Sequence, residues 1–226
     1  VEALKQGKTK YTAVPGTNEM KDAVIAKLKR DNGLDYKREE IIVSNGGKHS
    51  LFNLFMALLD EGDEVIIPAP YWVSYPDQVS VLGGNPVIIE TNDASEFKMT
   101  PAQLEQAITD KTVALVLNSP SNPTGSGYTK DELEPIAKIC IDKGITIVSD
   151  EIYEHIVYDG FKHRSIASLS EQAKNQTIIV NGASKCYSMT GWRMGFAAGN
   201  ADLVKAMSKL QGRSTSNVSS ITQAAC

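Results

Sequence analysis

Lys185, Asp150 and Asn122 are residues whose types and settings could do chemistry together. Lys185 lies in Ser184-Lys185-Cys186-Tyr187-Ser188-Met189-Thr190-Gly191-Trp192-Arg193, Asp150 in Ser149-Asp150-Glu151-Ile152-Tyr153, and Asn122 in Asn118-Ser119-Pro120-Ser121-Asn122-Pro123-Thr124-Gly125. A lysine amine attacks a carbonyl carbon, a carboxylate keeps a heterocyclic nitrogen protonated, and amides or a planar guanidinium such as that of Arg193 hold phosphate oxygens. An aldehyde, a pyridine nitrogen and a phosphate on one molecule ask for all three, and pyridoxal phosphate is such a molecule.

Side chains this far apart in sequence meet only if a fold gathers them. Short β-branched runs alternate here with longer amphipathic stretches, the rhythm of an α/β protein. The pattern predicts strands at 41–43, 64–67, 86–90, 113–117, 145–148, 177–180 and 194–198. It predicts helices at 18–31, 48–59, 72–82, 101–107, 130–142 and 201–210. The run Val113-Ala114-Leu115-Val116-Leu117 is apolar throughout rather than alternating, as a strand covered on both faces requires. The expectation is a three-layer α/β fold with a mostly parallel seven-stranded sheet covered by helices. No internal repeat, low-complexity tract or charge block marks a linker.

Ligands of such sheets bind beyond the carboxyl ends of the strands, which is where the informative residues fall. Ser44-Asn45-Gly46-Gly47-Lys48 follows the strand 41–43 and opens a helix, offering backbone N–H groups and the positive end of a helix dipole to an anion. Alone it also reads as a tight turn. Asn122 sits in a loop stiffened by two prolines, able to aim its amide into the crevice, although such a loop alone is only a turn. An acid directly after a buried strand, as Asp150 is, needs a cation or a hydrogen-bond donor, and a pyridinium N–H would serve. A helix N-cap is its other reading. Lys185 and Arg193 taken singly are surface charges; their Ser/Gly/Thr-rich setting after the strand 177–180 favours a site.

Composition narrows the partners. With 226 residues, 42% apolar and 22% charged, the chain is an ordinary globular protein with material for a sizeable core. A formal net charge of -4 gives no reason to expect nucleic acid or an anionic membrane as partner. Cys140, Cys186 and Cys226 form no CxxC pair and are odd in number, which suits a reducing compartment, and the cytoplasm is expected. His49, His155 and His163 form no metal-ligand pattern, and no metal is expected. No apolar stretch approaches the ~20 residues of a membrane span, and residues 1–10 lack the apolar core of a signal peptide.

Together these motifs carry a resemblance. The chain resembles the class I pyridoxal phosphate-dependent aminotransferases, in particular the bacterial aspartate aminotransferase branch, which often carries Pro-Tyr-Trp-Val-Ser-Tyr, here at 70–75. The resemblance implies that residues 1–226 are the pyridoxal phosphate-binding large domain of an aspartate aminotransferase-like fold, with a covering N-terminal segment and the C-terminal small domain missing. In this family the small domain supplies an arginine for the substrate α-carboxylate, and no residue here matches it. Lys185 would bond the cofactor and shuttle the proton, and Asp150 would hold the ring nitrogen protonated. Tyr153 and Asn122 would hydrogen-bond the phenolic oxygen, and Trp72 would stack on the ring. Gly46, Gly47, Lys48 and Arg193 would surround the phosphate, and Ser184 would also bind the cofactor. Tyr11, in Lys10-Tyr11-Thr12-Ala13-Val14-Pro15-Gly16, resembles the tyrosine that reaches the neighbouring subunit's phosphate, which implies a homodimer.

The implied activity is ping-pong transamination between an amino acid, aspartate or glutamate, and a 2-oxo acid, with Trp72, Asn122 and Lys48 near the substrate. In this branch Lys48 is associated with the distal carboxylate; it also reads as a helix-start or phosphate-side lysine. Aromatic or prephenate transamination, β-elimination, and a non-catalytic sensor module or degenerate fragment stay open as alternatives.

Overall fold

All seven apolar runs form strands: β1 (Ile41–Ser44), β2 (Glu64–Pro68), β3 (Asn85–Ile89), β4 (Thr112–Asn118), β5 (Thr146–Asp150), β6 (Thr177–Gly182) and β7 (Gly195–Ala198). The structure, a computed structural model, describes all 226 residues. The strands make one mostly parallel seven-stranded sheet, as expected. Most strand ends lie one or two residues from their predicted limits, and β1, β4 and β5 gain polar last residues, Ser44, Asn118 and Asp150. β5 closes on Asp150 itself and β6 runs on to Gly182.

The helices are α1 (Glu2–Lys5), α2 (Asn18–Lys27), α3 (Gly47–Leu58), α4 (Ser74–Val81), α5 (Pro101–Ala107), α6 (Lys130–Lys143), α7 (Glu171–Gln176), α8 (Ala201–Ser214) and α9 (Ser220–Ala225). Local chemistry sets their ends. Thr129 and Glu132 form a reciprocal capping box at the start of α6, and Gly144 ends it in the left-handed conformation. Thr100 and Gln103 cap α5 in the same way, with Pro101 in the first turn. Three expected helices are corrected, one of them 201–210, which runs on to Ser214. The stretch 18–31 is α-helical only to Lys27 and continues as a wider π turn over Leu28–Asn32, ended by Gly33. The stretch 72–82 becomes helical only at Ser74, which leaves Trp72 in the loop ahead of α4. The short helices α1, α7 and α9 had no sequence prediction.

Two compact units make up the chain: Val1–Ala57 with Val180–Cys226, and Leu58–Ile179. In the second unit four parallel strands lie in the order β5-β4-β2-β3. Residues Ala114 to Leu117 of β4 are buried, as its unbroken apolar pattern demands. α4 and α5 pack on β3, and α6 packs on β5. The core there includes Ile66, Leu104, Leu115, Ile136 and Ile147. In the first unit β1 runs antiparallel to β7, with Ile41 opposite Ala198, and α2 and α8 pack on β1. No helix is long and apolar enough to cross a membrane.

Candidate active site

In the second unit the parallel register sets Asn118 of β4 beside Asp150 of β5, both at the carboxyl ends of their strands. Asp150 is 5% exposed. Its Oδ2 accepts the Tyr75 hydroxyl at 2.7 Å and its Oδ1 accepts the Ile152 N–H at 3.2 Å. Burial pushes its carboxyl up to about 6; the bonds from Tyr75 and Ile152 act against the rise, and the neighbouring Glu151 adds to it. The helix N-cap reading is overturned, because the residues after Asp150 form turns and not a helix.

Other expected residues are drawn to the same strand ends. The Asn118 side chain donates to the Asp150 carbonyl at 3.0 Å and accepts the Asn122 N–H at 2.7 Å, which fixes the Asn-Pro-Thr-Gly loop relative to β5. Trp72 meets Tyr75 edge to face, with ring centroids 5.4 Å apart. Tyr153 follows in the turn after β5, half-buried.

Glu151, also buried, serves a different network. Its Oε1 accepts Ser149 Oγ at 2.9 Å and Ser165 Oγ at 2.6 Å, while His163 Nε2 lies 3.2 Å from its Oε2. Burial raises a lone carboxyl, but here His163 and the two hydroxyls outweigh it and hold Glu151 below its ordinary value. Two adjacent buried acids thus shift in opposite directions, Glu151 downward through its partners and Asp150 upward through burial, and Asp150 is the one left without a cation.

In the first unit the turn Ser44-Asn45-Gly46-Gly47 joins β1 to α3, whose first N–H groups have no acceptor within the helix. Gly46 has φ +85, and a Cβ there would lie 2.3 Å from an Arg193 guanidinium nitrogen. The glycine therefore permits both the turn and the approach of the arginine. Arg193 donates to the carbonyls of Thr190 at 2.9 Å and Asn45 at 3.2 Å, two of its five N–H donors. Its own φ is +53, a strained value for a residue with a side chain. Gly195 of β7 is needed as well, since a Cβ on it would stand 2.2 Å from the Gly47 nitrogen.

Ser184 is buried and Lys185 half-buried in the bend after β6, which is held by bonds from the Met189 N–H to the Ser184 carbonyl (3.1 Å) and from the Ser188 N–H to the Lys185 carbonyl (3.2 Å). Lys48 is exposed on the first turn of α3. Tyr11 is 90% exposed.

Two residues escaped the sequence reading. Tyr75 was named only as the last residue of the motif at 70–75, with no role, although it supplies the hydroxyl that binds Asp150. Asn118, the residue that joins Asn122 to β5, was visible only as the first polar residue after an apolar strand.

Each unit by itself offers groups that fit a part of pyridoxal phosphate. In the second, a protonated ring nitrogen would bring the cation that buried Asp150 lacks; in the first, the glycine turn beside Arg193 offers a helix N-terminus and a guanidinium to a phosphate.

Fold and strand ends define the class, a helix-covered, mostly parallel α/β protein with its polar and charged groups gathered at the carboxyl ends of strands. The chain belongs to the family Aminotransferase class I and II, which it matches over residues 2–226. It is 56% identical over 223 residues to an aspartate aminotransferase of Bacillus sp. (strain YM-2), covering 99% of this chain and 57% of that protein. A probable aspartate/prephenate aminotransferase of Rickettsia conorii is 52% identical over 226 residues, covering 100% of this chain and 56% of that protein. The crystal structure of the aspartate aminotransferase from Rhizobium meliloti superposes with a TM-score of 0.98 at 48% identity, covering 99% of this chain and 56% of that one. The chain thus spans a little over half the length of these relatives.

Proposed function

We propose that this chain is the cofactor-binding part of an aspartate-type aminotransferase, which moves an amino group from aspartate or glutamate to a 2-oxo acid with pyridoxal phosphate. The observation that carries the reading is Asp150, buried at a strand end with its carboxyl pushed up to about 6 and no cationic partner. Bound pyridoxal phosphate supplies a carbonyl carbon for amine exchange and a pyridine ring that withdraws electrons from the substrate Cα.

The chain's own residues do the rest. Lys185 would hold the cofactor through its amine and would carry a proton to and from the substrate Cα. Asp150, aimed by Tyr75 and Ile152, keeps the ring nitrogen protonated. Tyr153 and Asn122 would donate to the phenolic oxygen, and Trp72 would stack on the ring and exclude water. Gly46, Gly47, Lys48 and Arg193 hold the phosphate and Ser184 also binds the cofactor, with Tyr11 serving the second subunit of a homodimer. Lys48 also faces the distal carboxylate of a dicarboxylic substrate. The names of the Bacillus and Rhizobium relatives support the aspartate preference. The Rickettsia relative's name favours a second acceptor, prephenate. The free cysteines fit a cytoplasmic location.

The test is spectroscopic. Cofactor-loaded protein is titrated with aspartate and the visible spectrum is followed, then products are analysed with 2-oxoglutarate and with prephenate as acceptors. Loss of the visible cofactor band on adding aspartate, with oxaloacetate released, is the expected result. A cofactor band that no amino acid alters would refute the proposal.

A further inference from the structure

The buried face of α8 is formed by Val204, Met207 and Gln211, a spacing that calls for an aliphatic side chain at the third position. Gln211 is 0% exposed, and an amide there is costly unless every polar atom is bonded. Every one is. Nε2 donates to the Val14 carbonyl at 2.8 Å and the Val43 carbonyl at 2.9 Å. Oε1 accepts Ser44 Oγ at 2.8 Å and Asn53 Nδ2 at 3.1 Å. Two N–H donors and two lone pairs are the whole capacity of the group, and the two carbonyl partners fix which end is nitrogen.

The partners are not scattered. Val43 and Ser44 end β1, Asn53 lies in α3, and Val14 belongs to the stretch that follows Tyr11. One amide therefore ties the residue that enters the Gly46-Gly47 turn to the helix that leaves it. From the other side Gly195 stands so close to the Gly47 nitrogen that the turn has no slack in that direction. A fully satisfied buried polar network specifies one geometry where an apolar contact would tolerate several.

We propose that Gln211 is a positioning residue for the anion seat at Gly46, Gly47 and Lys48. It sets the first N–H groups of α3 against the end of β1 and thereby the affinity for the phosphate of the cofactor. This rests on the reading of that turn as the phosphate end of the site, a position that must hold within roughly 0.5 Å to bind well.

The experiment compares dissociation constants of pyridoxal phosphate and of pyridoxal, which lacks the phosphate, for the parent, Gln211→Leu and Ser44→Ala proteins. Far-UV circular dichroism and thermal unfolding check that each variant is folded. The expected result is a preference for the phosphorylated form that falls by about tenfold in Gln211→Leu, the size lost when a group that orients a ligand's partners is removed, and by less in Ser44→Ala. If Gln211→Leu does not fold, Ser44→Ala decides alone. Equal weakening of both ligands, or an unchanged preference, overturns the positioning role. A parent protein that does not prefer pyridoxal phosphate to pyridoxal would instead overturn the site reading itself.

Discussion

Asp150→Asn should make the cofactor-free protein more resistant to unfolding near neutral pH. The carboxyl of Asp150 has an ordinary value of 3.8 and is pushed up to about 6 in the fold, chiefly by burial. A raised value means that the folded state binds the proton more tightly than the unfolded chain. The associated stability is therefore complete below pH 4 and is lost as pH rises through 6. A rise of roughly two units at 1.36 kcal/mol each amounts to about 3 kcal/mol. Asparagine does not titrate, yet it can accept the Ile152 N–H through oxygen and donate to the Tyr75 hydroxyl through nitrogen. The difference in unfolding free energy between variant and parent should thus move by about 3 kcal/mol in the variant's favour between pH 4 and pH 7.5. Urea unfolding of both proteins at several pH values, followed by circular dichroism, measures it, and titrations common to both cancel in the difference. Saturating pyridoxal phosphate at pH 7.5 should reverse the ranking. Parallel pH curves for the two proteins would refute the argument that Asp150 is kept under electrostatic strain for a cationic partner.

Three further outcomes follow from the same geometry. Lys185→Ala should abolish borohydride-dependent labelling by pyridoxal phosphate and all transamination, and peptide mapping that finds the label on another lysine in the parent would reassign the nucleophile. Tyr75→Phe removes a donor from a buried carboxylate, so the Asp150 carboxyl should rise further, the cofactor-free protein should lose about 1–3 kcal/mol, and the acid limb of the activity profile should shift; an unmoved profile speaks against coupling through this bond. Gly46→Ala places a methyl group against Arg193 in a backbone conformation that alanine resists, so pyridoxal phosphate affinity should fall by at least about tenfold with little change for pyridoxal, as equilibrium titration would reveal.

The strands were legible because they are covered on both faces, so that their apolar runs are unbroken and short. Their ends were not, since Ser44, Asn118, Asp150 and the Asn181-Gly182 pair are polar residues that pattern reading assigns to loops while backbone pairing keeps them in the sheet. α1, α7 and α9, at four to six residues, are too short for a helical period to emerge. Residues of the candidate site could be named from the sequence only where they stand in a motif. The site was illegible where the chemistry depends on a distant partner. The Tyr75 hydroxyl finds a carboxylate 75 positions along the chain. Gln211 lay just past the predicted end of α8, and nothing local to it points to the network it centres.

The division of the chain also sets an order of assembly. Leu58–Ile179 is one uninterrupted stretch, whereas the other unit is built from both ends of the sequence. On the ribosome the first can collapse as soon as residue 179 emerges, while β1 must wait for β7, whose residue Ala198 pairs with Ile41 across the whole intervening insert. Such distant pairing carries a high contact order, and a strand left without its neighbour is open to wrong partners. A folded insert replaces a long flexible loop between β1 and β7, which lowers the entropy lost when the two strands pair.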